Sequence, residues 1–362
     1  MSSLAAPESA TPKPERSIPN YRQQLKKALP AEYFQPDRAQ LLWFLPHIAI
    51  VGTSLWLLTA HFSWWLAPLL SLVIGHSMAC LGFLAHDINH GGAVRSPFWR
   101  DVLSGIAFSA FAISPKLWKR WHNAEHHGHT QIEGVDPDHL FTIEHYKNNP
   151  VLRALYRLSP LARNVVIFSS FSYRMTQQTQ RMLWTYLLGN KVSGREKAIM
   201  AVQTLAQLGA WIGLTAWLGS QVFIWGYLVP LLVANAIAIS YIATNHFLNP
   251  LADESDVLAT SLSVTMPRGL KWLDPWHHWF GAHVAHHLFP QASPKHCRAI
   301  DAKAKEMWPD RYHEMSIFKA LQLLWQTPWV YEDQKTLLDP RREERVPTLG
   351  HGLEKRVKRA KN

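Results

Sequence analysis

Charge disappears from two long stretches of this chain. Between Leu41 and His86 there is no Lys, Arg, Asp or Glu, and there is none between Ala198 and Ala252. A bilayer span needs roughly 20 apolar residues at ~1.5 Å rise each. Each stretch is therefore long enough for two spans and a tight reversal. The breaks fall at HFSWW (61–65) and GSQ (219–221). The pattern predicts two helical hairpins, about 41–60 with 66–86 and about 199–218 with 222–246. A very apolar soluble helical core is the competing reading, and the run lengths argue against it.

The remaining segments read differently. Residues 1–38 form a polar tail with a possible interfacial helix at 20–28. Residues 100–113 (RDVLSGIAFSAFAI) are apolar but too short to span, which suits a re-entrant or interface-lying helix. Residues 151–189 mix Arg with Leu, Phe, Trp and Tyr. They fit either a helix lying on the headgroups or an amphipathic helix packed on the extramembrane part. Residues 341–362 are rich in Arg and Lys and read as a solvated tail. Strand signals are weak throughout. The expected fold class is all-α, an integral membrane domain over 39–340 between two tails.

Charge orients this plan. All 37 Lys and Arg lie outside the two hairpins, against 26 Asp and Glu in the chain. Basic residues favour the cytoplasmic side, which places both termini, 87–197 and everything after 247 there. The expected location is the bacterial inner membrane. Seventeen tryptophans suit a chain with much interfacial surface. The N-terminal MSSLAAPESATPKPERS lacks the apolar core of a signal peptide. Cys80 and Cys297 are far apart and suggest no disulfide framework. Nothing points to nucleic acid.

Histidine supplies the chemistry. The stretch HNAEHHGHT (122–130) holds four of the chain's 20 histidines. A metal site, a polar surface and a pH sensor are the possible uses. Two further clusters, HDINH with His86 and His90 and HVAHH with His283, His286 and His287, favour metal. On an α-helix, residues at i, i+3 and i+4 share a face. Each cluster can point two or three imidazoles at one spot. His127 falls about 140° from His122 on such a helix, so it could reach a second metal. His86 and His246 sit where the second and fourth spans emerge on the same side. Eight cluster histidines plus His246 make nine candidate ligands. Zinc wants four, so nine suit two metals with four or five ligands each. His129, His139, His277 and His278 read as neighbours or surface residues, and His76 as a buried hydrogen-bonded residue.

HDINH, HNAEHH and HVAHHLFP, in this order and placement, resemble the three boxes of the integral-membrane fatty acid desaturase and hydroxylase superfamily. The resemblance covers about residues 40–310. The first box, with three intervening residues, is similar to that of acyl-lipid and front-end desaturases rather than the animal acyl-CoA type. What the resemblance implies is a four-span fold with a cytoplasmic cap holding a histidine-ligated di-iron centre. The chain departs from the pattern in carrying His283 where front-end enzymes usually have Gln. It has no HPGG haem motif. It has Ile242 where the acyl-CoA type has an Asn that holds a water near iron; Asn245 and Asn249 flank His246 instead.

The implied reaction is O2-dependent removal of hydrogen from a fatty acyl chain at two Fe, most simply desaturation. Similar boxes serve hydroxylases, carotenoid ketolases and a membrane enzyme that makes 1-alkenes from free fatty acids. A non-catalytic metal-binding or metal-transport protein is the rival of another class. It predicts ligands inside the spans, where Cys80 stands nearly alone. No catalytic residue is expected beyond the metal ligands. Asp87, Glu125, Asp136, Asp138 and Asn245 read as groups that orient imidazoles or hold water near the metal, or, for the acids, as solvated loop carboxylates. Trp118 and Trp121 are candidates to line an acyl tunnel or to pack at the interface. With no haem or flavin motif, electrons must come from a separate ferredoxin, rubredoxin or cytochrome b5-like protein with its reductase. Such donors are commonly acidic, so a docking patch is expected at Lys295, Arg298, Lys303 and Lys305.

Overall fold

The computed structural model describes residues 18–354. Residues 1–17 and 355–362 of the two expected tails lie outside the described residues. Among the described residues, four helices are long and apolar enough to cross a membrane: Arg38–Ala60, Leu66–His90, Gly194–Leu218 and Ser220–His246. We number them spans 1 to 4. They match the four expected spans, and each pair is joined by a short reversal at His61–Trp65 or Gly219.

Spans 2 and 4 are the centre of the bundle, with 56% and 44% of their apolar windows buried against 22% for spans 1 and 3. Their close approach depends on Gly75, where an added Cβ would stand 2.6 Å from the Pro230 carbonyl oxygen and from Val233. On the outside, Leu45, Ile48, Trp56, Leu69, Leu72 and Leu205 are all more than half exposed. That apolar belt is unsuited to water and suited to lipid. Span 2 stops at once after His90, because Gly91 takes a left-handed conformation (φ 90°) and its N–H closes on the helix.

The connection between spans 2 and 3 is mostly helical. Pro97–Ala107 is the expected short, non-spanning helix. The Gln207 amide of span 3 holds its end, donating to the carbonyls of Gly105 (2.8 Å) and Ile113 (3.1 Å). The 29-residue helix Pro160–Leu188 resolves the alternatives for 151–189. Its face with Ile167, Phe171, Met175 and Met182 is buried, and the Thr176 N–H donates to Asn235 of span 4. Leu161, Val165, Val166 and Trp184 remain exposed on the other face.

The parts beyond the spans are largely but not wholly helical. β1 (Phe141–Thr142), β4 (Val330–Asp333), β5 (Thr336–Asp339) and β6 (Glu344–Pro347) form one sheet, with β1 parallel to β4 and the rest antiparallel. β2 (Ser263–Thr265) pairs in parallel with β3 (Glu314–Ser316). Strands of two to four residues are too short to show a period of two in the sequence. The mostly helical class holds, and these short strands are additions to it. One expectation is corrected, the solvated tail from 341, since β6 pairs with β5 and Val346, Leu349 and Leu353 are buried.

The N-terminal helix Tyr21–Ala28 is formed, but it docks on the protein. Tyr21 and Leu25 are buried against the helix Pro294–Met307, in a core with Val284, Leu288 and Ile300. The Leu349 N–H donates to Leu248 just beyond span 4. Both described ends of the chain therefore pack at the end of the bundle where spans 2 and 4 terminate.

Candidate metal centre

Each expected ligand is delivered by a terminus. His86 and His90 occupy the last turn of span 2, and His246 is the last residue of span 4. The second cluster begins at Ser114, whose hydroxyl caps the turn Pro115–Trp118. From Lys119 to His126 the backbone is a π-helix, and the His127 N–H donates to the His122 carbonyl five residues back. The third cluster is the short helix His283–Leu288, fixed at its start by Ser263 (3.0 Å from Val284 N) and by Asp301 (2.9 Å from Ala285 N).

These termini bring the nine histidines into two groups. His86, His90, His122, His127 and His286 form the first, with ligand atoms within 4.8 Å of one another. The Nε2 atoms of His86–His122, His122–His127 and His127–His286 are each 3.1 Å apart. His126, His246 and His287 form the second. His283 joins them, its Nε2 lying 2.8 Å from that of His246 and 3.1 Å from that of His287.

The outward nitrogens explain why the inward ones are free to bind. The His86 Nδ1 donates to Asp87 (3.0 Å) and the His126 Nδ1 to Asp136 (3.0 Å). The His246 Nδ1 donates to the Thr260 carbonyl (3.3 Å) and the His287 Nδ1 to the Thr130 hydroxyl oxygen (3.2 Å). With its proton held on Nδ1, a neutral imidazole presents a lone pair at Nε2. Hydrogen bonds alone cannot satisfy the first group. The Nε2 of His127 faces two other Nε2 atoms and has one in-plane site. The donor set fits cations.

Electrostatics agrees. Burial first, and neighbouring imidazoles second, hold His122, His127, His283, His286 and His287 well below the ordinary histidine value, so they are neutral near pH 7. His126 differs. Burial opposes its protonation, but the adjacent Asp136, with Asp138 behind it, raises its pKa. Asp136 is itself held low against the cost of burial by His126 and by the N–H groups of Gln131 and Asp138.

An apolar slot runs alongside the first group. Ala79, Gly82, Phe83, Phe111, Ile242 and Phe280 line much of it, and His86 and Trp118 stand in its wall. Trp118 also stacks on His122, ring centroids 4.3 Å apart.

Residues 62–319, a range that includes all nine histidines, match the sequence model of the fatty acid desaturases. The chain belongs to the fatty acid desaturase family. Among similar proteins, an sn-1 acyl-lipid omega-3 desaturase (ferredoxin) of Synechocystis sp. is 25% identical over 79% of this chain and 81% of its own. An omega-6 fatty acid desaturase, endoplasmic reticulum isozyme 1, of Glycine max is 27% identical over 80% and 81%. An sn-1 linoleoyl-lipid 6-desaturase of Arthrospira platensis is 40% identical over a shorter stretch, 20% of each chain. The chain is a membrane oxidoreductase that acts as a fatty acid desaturase.

The remaining expected residues of this desaturase fall in different places. Asp87 and Asp136 contact imidazoles directly. Asp138 stands one step back, accepting from the Trp121 indole (3.1 Å) and the Gln178 amide (2.8 Å), with His126 Nδ1 at 3.8 Å. Trp121 thus anchors Asp138 rather than lining the slot. The Glu125 carboxylate pairs at 3.8 Å with the Lys191 ammonium. The Asn245 side chain is fully buried with neither amide atom hydrogen-bonded. Asn249 is the amide that shares the Thr260 carbonyl with His246 (3.2 Å). Ile242 packs in the slot wall, an apolar role where an amide was considered. His278 approaches Asp87, its Nδ1 3.8 Å from the carboxylate. His129 is exposed, and His139 bonds the neighbouring Leu140 carbonyl.

Sequence reasoning missed Thr130, Thr260 and Gln131. Thr130 carried a faint signal, four residues beyond His126 in the same cluster. Gln131 carried none. Its side chain donates to the His246 carbonyl (3.0 Å) and the Tyr331 hydroxyl (3.0 Å), while its N–H donates to Asp136 (2.8 Å). It does so from a left-handed backbone (φ 62°).

Proposed function

We propose that the five-histidine and four-histidine groups hold two iron ions, and that the chain uses O2, two external electrons and two protons to convert a –CH2–CH2– unit of a fatty acyl chain to –CH=CH–, releasing two waters. The observation that carries this reading is the division of nine imidazoles, eight of them buried and His127 half-buried, into two groups beside one apolar slot. Iron bound there supplies the O2 activation that no side chain can provide. The protein's own part is placement. Phe83, Phe280, Ile242 and Trp118 give the acyl chain an apolar, water-excluding bed. His86, in the slot wall, marks where that chain runs nearest the centre. Asp87, Asp136, Thr130 and the Thr260 carbonyl keep the Nδ1 protons of His86, His126, His287 and His246 outward and those four rings fixed.

We place the histidine side of the bundle in the cytoplasm, because the basic residues lie outside both hairpins. The electron donor is a separate ferredoxin-type protein, supported by the names of acyl-lipid relatives such as the Synechocystis enzyme. The expected docking patch is unsuited to the task. Lys295 pairs with Asp37, Arg298 with Asp274, Lys303 with Glu306 and Lys305 with Glu314. Charges already neutralised within the chain steer a partner weakly.

The test combines metal analysis with product analysis. Chain purified under iron-replete conditions should carry two irons, and cells expressing it should gain an unsaturated acyl chain. A single zinc without iron overturns the di-iron reading. Volatile 1-alkenes or hydroxylated acids in place of new internal double bonds overturn the desaturation step.

A further inference from the structure

Three more ligand-type side chains meet on the flank of the bundle. His76 and Cys80 are one helical turn apart on span 2 and share a face. His277 reaches them from the segment before the third box. The Nε2 atoms of His76 and His277 are 3.0 Å apart, and the Cys80 Sγ lies 3.8 Å from the His76 ring nitrogens. Ligand atoms of all three fall within 4.8 Å of one another. Cys80 is fully buried and His277 nearly so. The group is separate from the nine-histidine centre along span 2, with Cys80 six residues and His76 ten residues before His86, ~9 and ~15 Å of helix.

Two details argue for more than a chance contact. The Tyr241 hydroxyl lies 2.9 Å from the His277 Nδ1. A proton held there leaves the Nε2 lone pair aimed at His76 and Cys80, the same arrangement that readies the main centre. The surroundings are rings: Phe83 stands 5.8 Å from His277, and Trp276 stands 6.4 Å from His76. Such a lining excludes water and leaves any net charge poorly solvated.

We propose that His76, Cys80 and His277 form a third metal site, separate from the desaturase centre, that takes copper(I). Two imidazoles and a thiolate are a soft donor set, and a trigonal His2Cys arrangement is characteristic of copper. Structural zinc sites close with four protein ligands, and no fourth His, Cys, Asp or Glu joins this group among the described residues. Charge points the same way. Copper(I) binds as the Cys80 thiol gives up its proton, Cys–SH + Cu+ → Cys–S–Cu + H+, and the loaded site is neutral. Zinc would leave one positive charge in an apolar flank. The bound ion cross-links span 2 to the segment carrying Phe280, a wall of the acyl slot, and so braces the approach to the third box.

The experiment titrates the iron-loaded full chain in nanodiscs anaerobically with copper(I) against a chromophoric chelator, with zinc in parallel. The expected result is one tight copper(I) per chain, unchanged iron and a higher thermal midpoint. Cys80→Ser and His277→Gln should each lose that equivalent while keeping their iron, and Cys297→Ser should retain it. The proposal is overturned if the wild-type chain takes up no copper(I), if copper enters only as iron leaves, or if Cys80→Ser binds as wild type does. Zinc binding with copper(I) excluded overturns the choice of ion.

Discussion

The Nε2 atoms of His122 and His127 lie 3.1 Å apart although the residues are five apart in sequence. On an α-helix they would diverge. Here the backbone is π-helical, and its i→i+5 hydrogen bonding returns the chain to the same face after five residues. His126 is thereby left to point at His246 and His287, in the other group. One widened turn thus feeds both groups from one segment, and it reverses the expectation that His127 would be the ligand to cross over.

The two groups should lose metal separately. His246→Ala removes a donor from the four-histidine group and His90→Ala one from the five-histidine group. Each variant is expected to fall from two irons per chain toward one and to lose turnover. Metal analysis of detergent-purified protein checks this. Retention of both irons in both variants would contradict the assignment of ligands.

Asp136→Asn keeps the shape of the side chain but removes the carboxylate that holds the His126 Nδ1 proton and accepts from Gln131. Loss of such a partner typically costs 10–100-fold in metal affinity or activity. Iron retention under chelator challenge should fall by about that factor, while Glu125→Gln, facing Lys191, should behave as wild type.

Gly82→Val tests the slot. A Cβ at Gly82 would stand 3.0 Å from the Phe111 ring, and the two methyl groups of valine would project further into the acyl path. The variant should keep its iron and lose most activity toward long acyl chains. Lipid profiling with iron analysis in the same preparation separates a blocked slot from a broken centre.

The docked N-terminal helix should matter for stability. Leu25 is fully buried, and the Arg22 guanidinium donates to the carbonyl of His287 at 3.3 Å. Leu25→Ala should cost about 2–5 kcal/mol, read as a lowered thermal midpoint. An unchanged midpoint would mean that the helix is not docked on the protein.

Burial raises the Asp301 carboxyl to about 7, from an ordinary value of 3.8. Between those two pH values the folded chain keeps a proton that the unfolded chain has lost. Stability should therefore fall as pH rises from about 4 to about 7 and then level off. Asp301→Asn should flatten that part of the profile. Thermal midpoints across pH 4–8 for both proteins provide the comparison.

Much of this protein is written locally. The two uncharged stretches fixed four spans because transfer to lipid depends on the composition of a single segment. The boxes announced nine ligands because each lies within one or two helical turns. How those ligands divide was not legible, since it rests on a π-helical turn whose residues do not distinguish it from an α-helix. Thr130, Gln131 and Thr260 were equally hidden. Thr130 and Thr260 act on imidazoles, and Gln131 on the His246 carbonyl, through contacts that exist only when distant segments meet, as when Gln131 joins span 4 to Tyr331 of β4. The short strands and the His76–Cys80–His277 group belong to the same class. Periodicity records what one segment does with its surroundings, whereas pairing between segments is decided by the tertiary fold that brings their polar groups within reach.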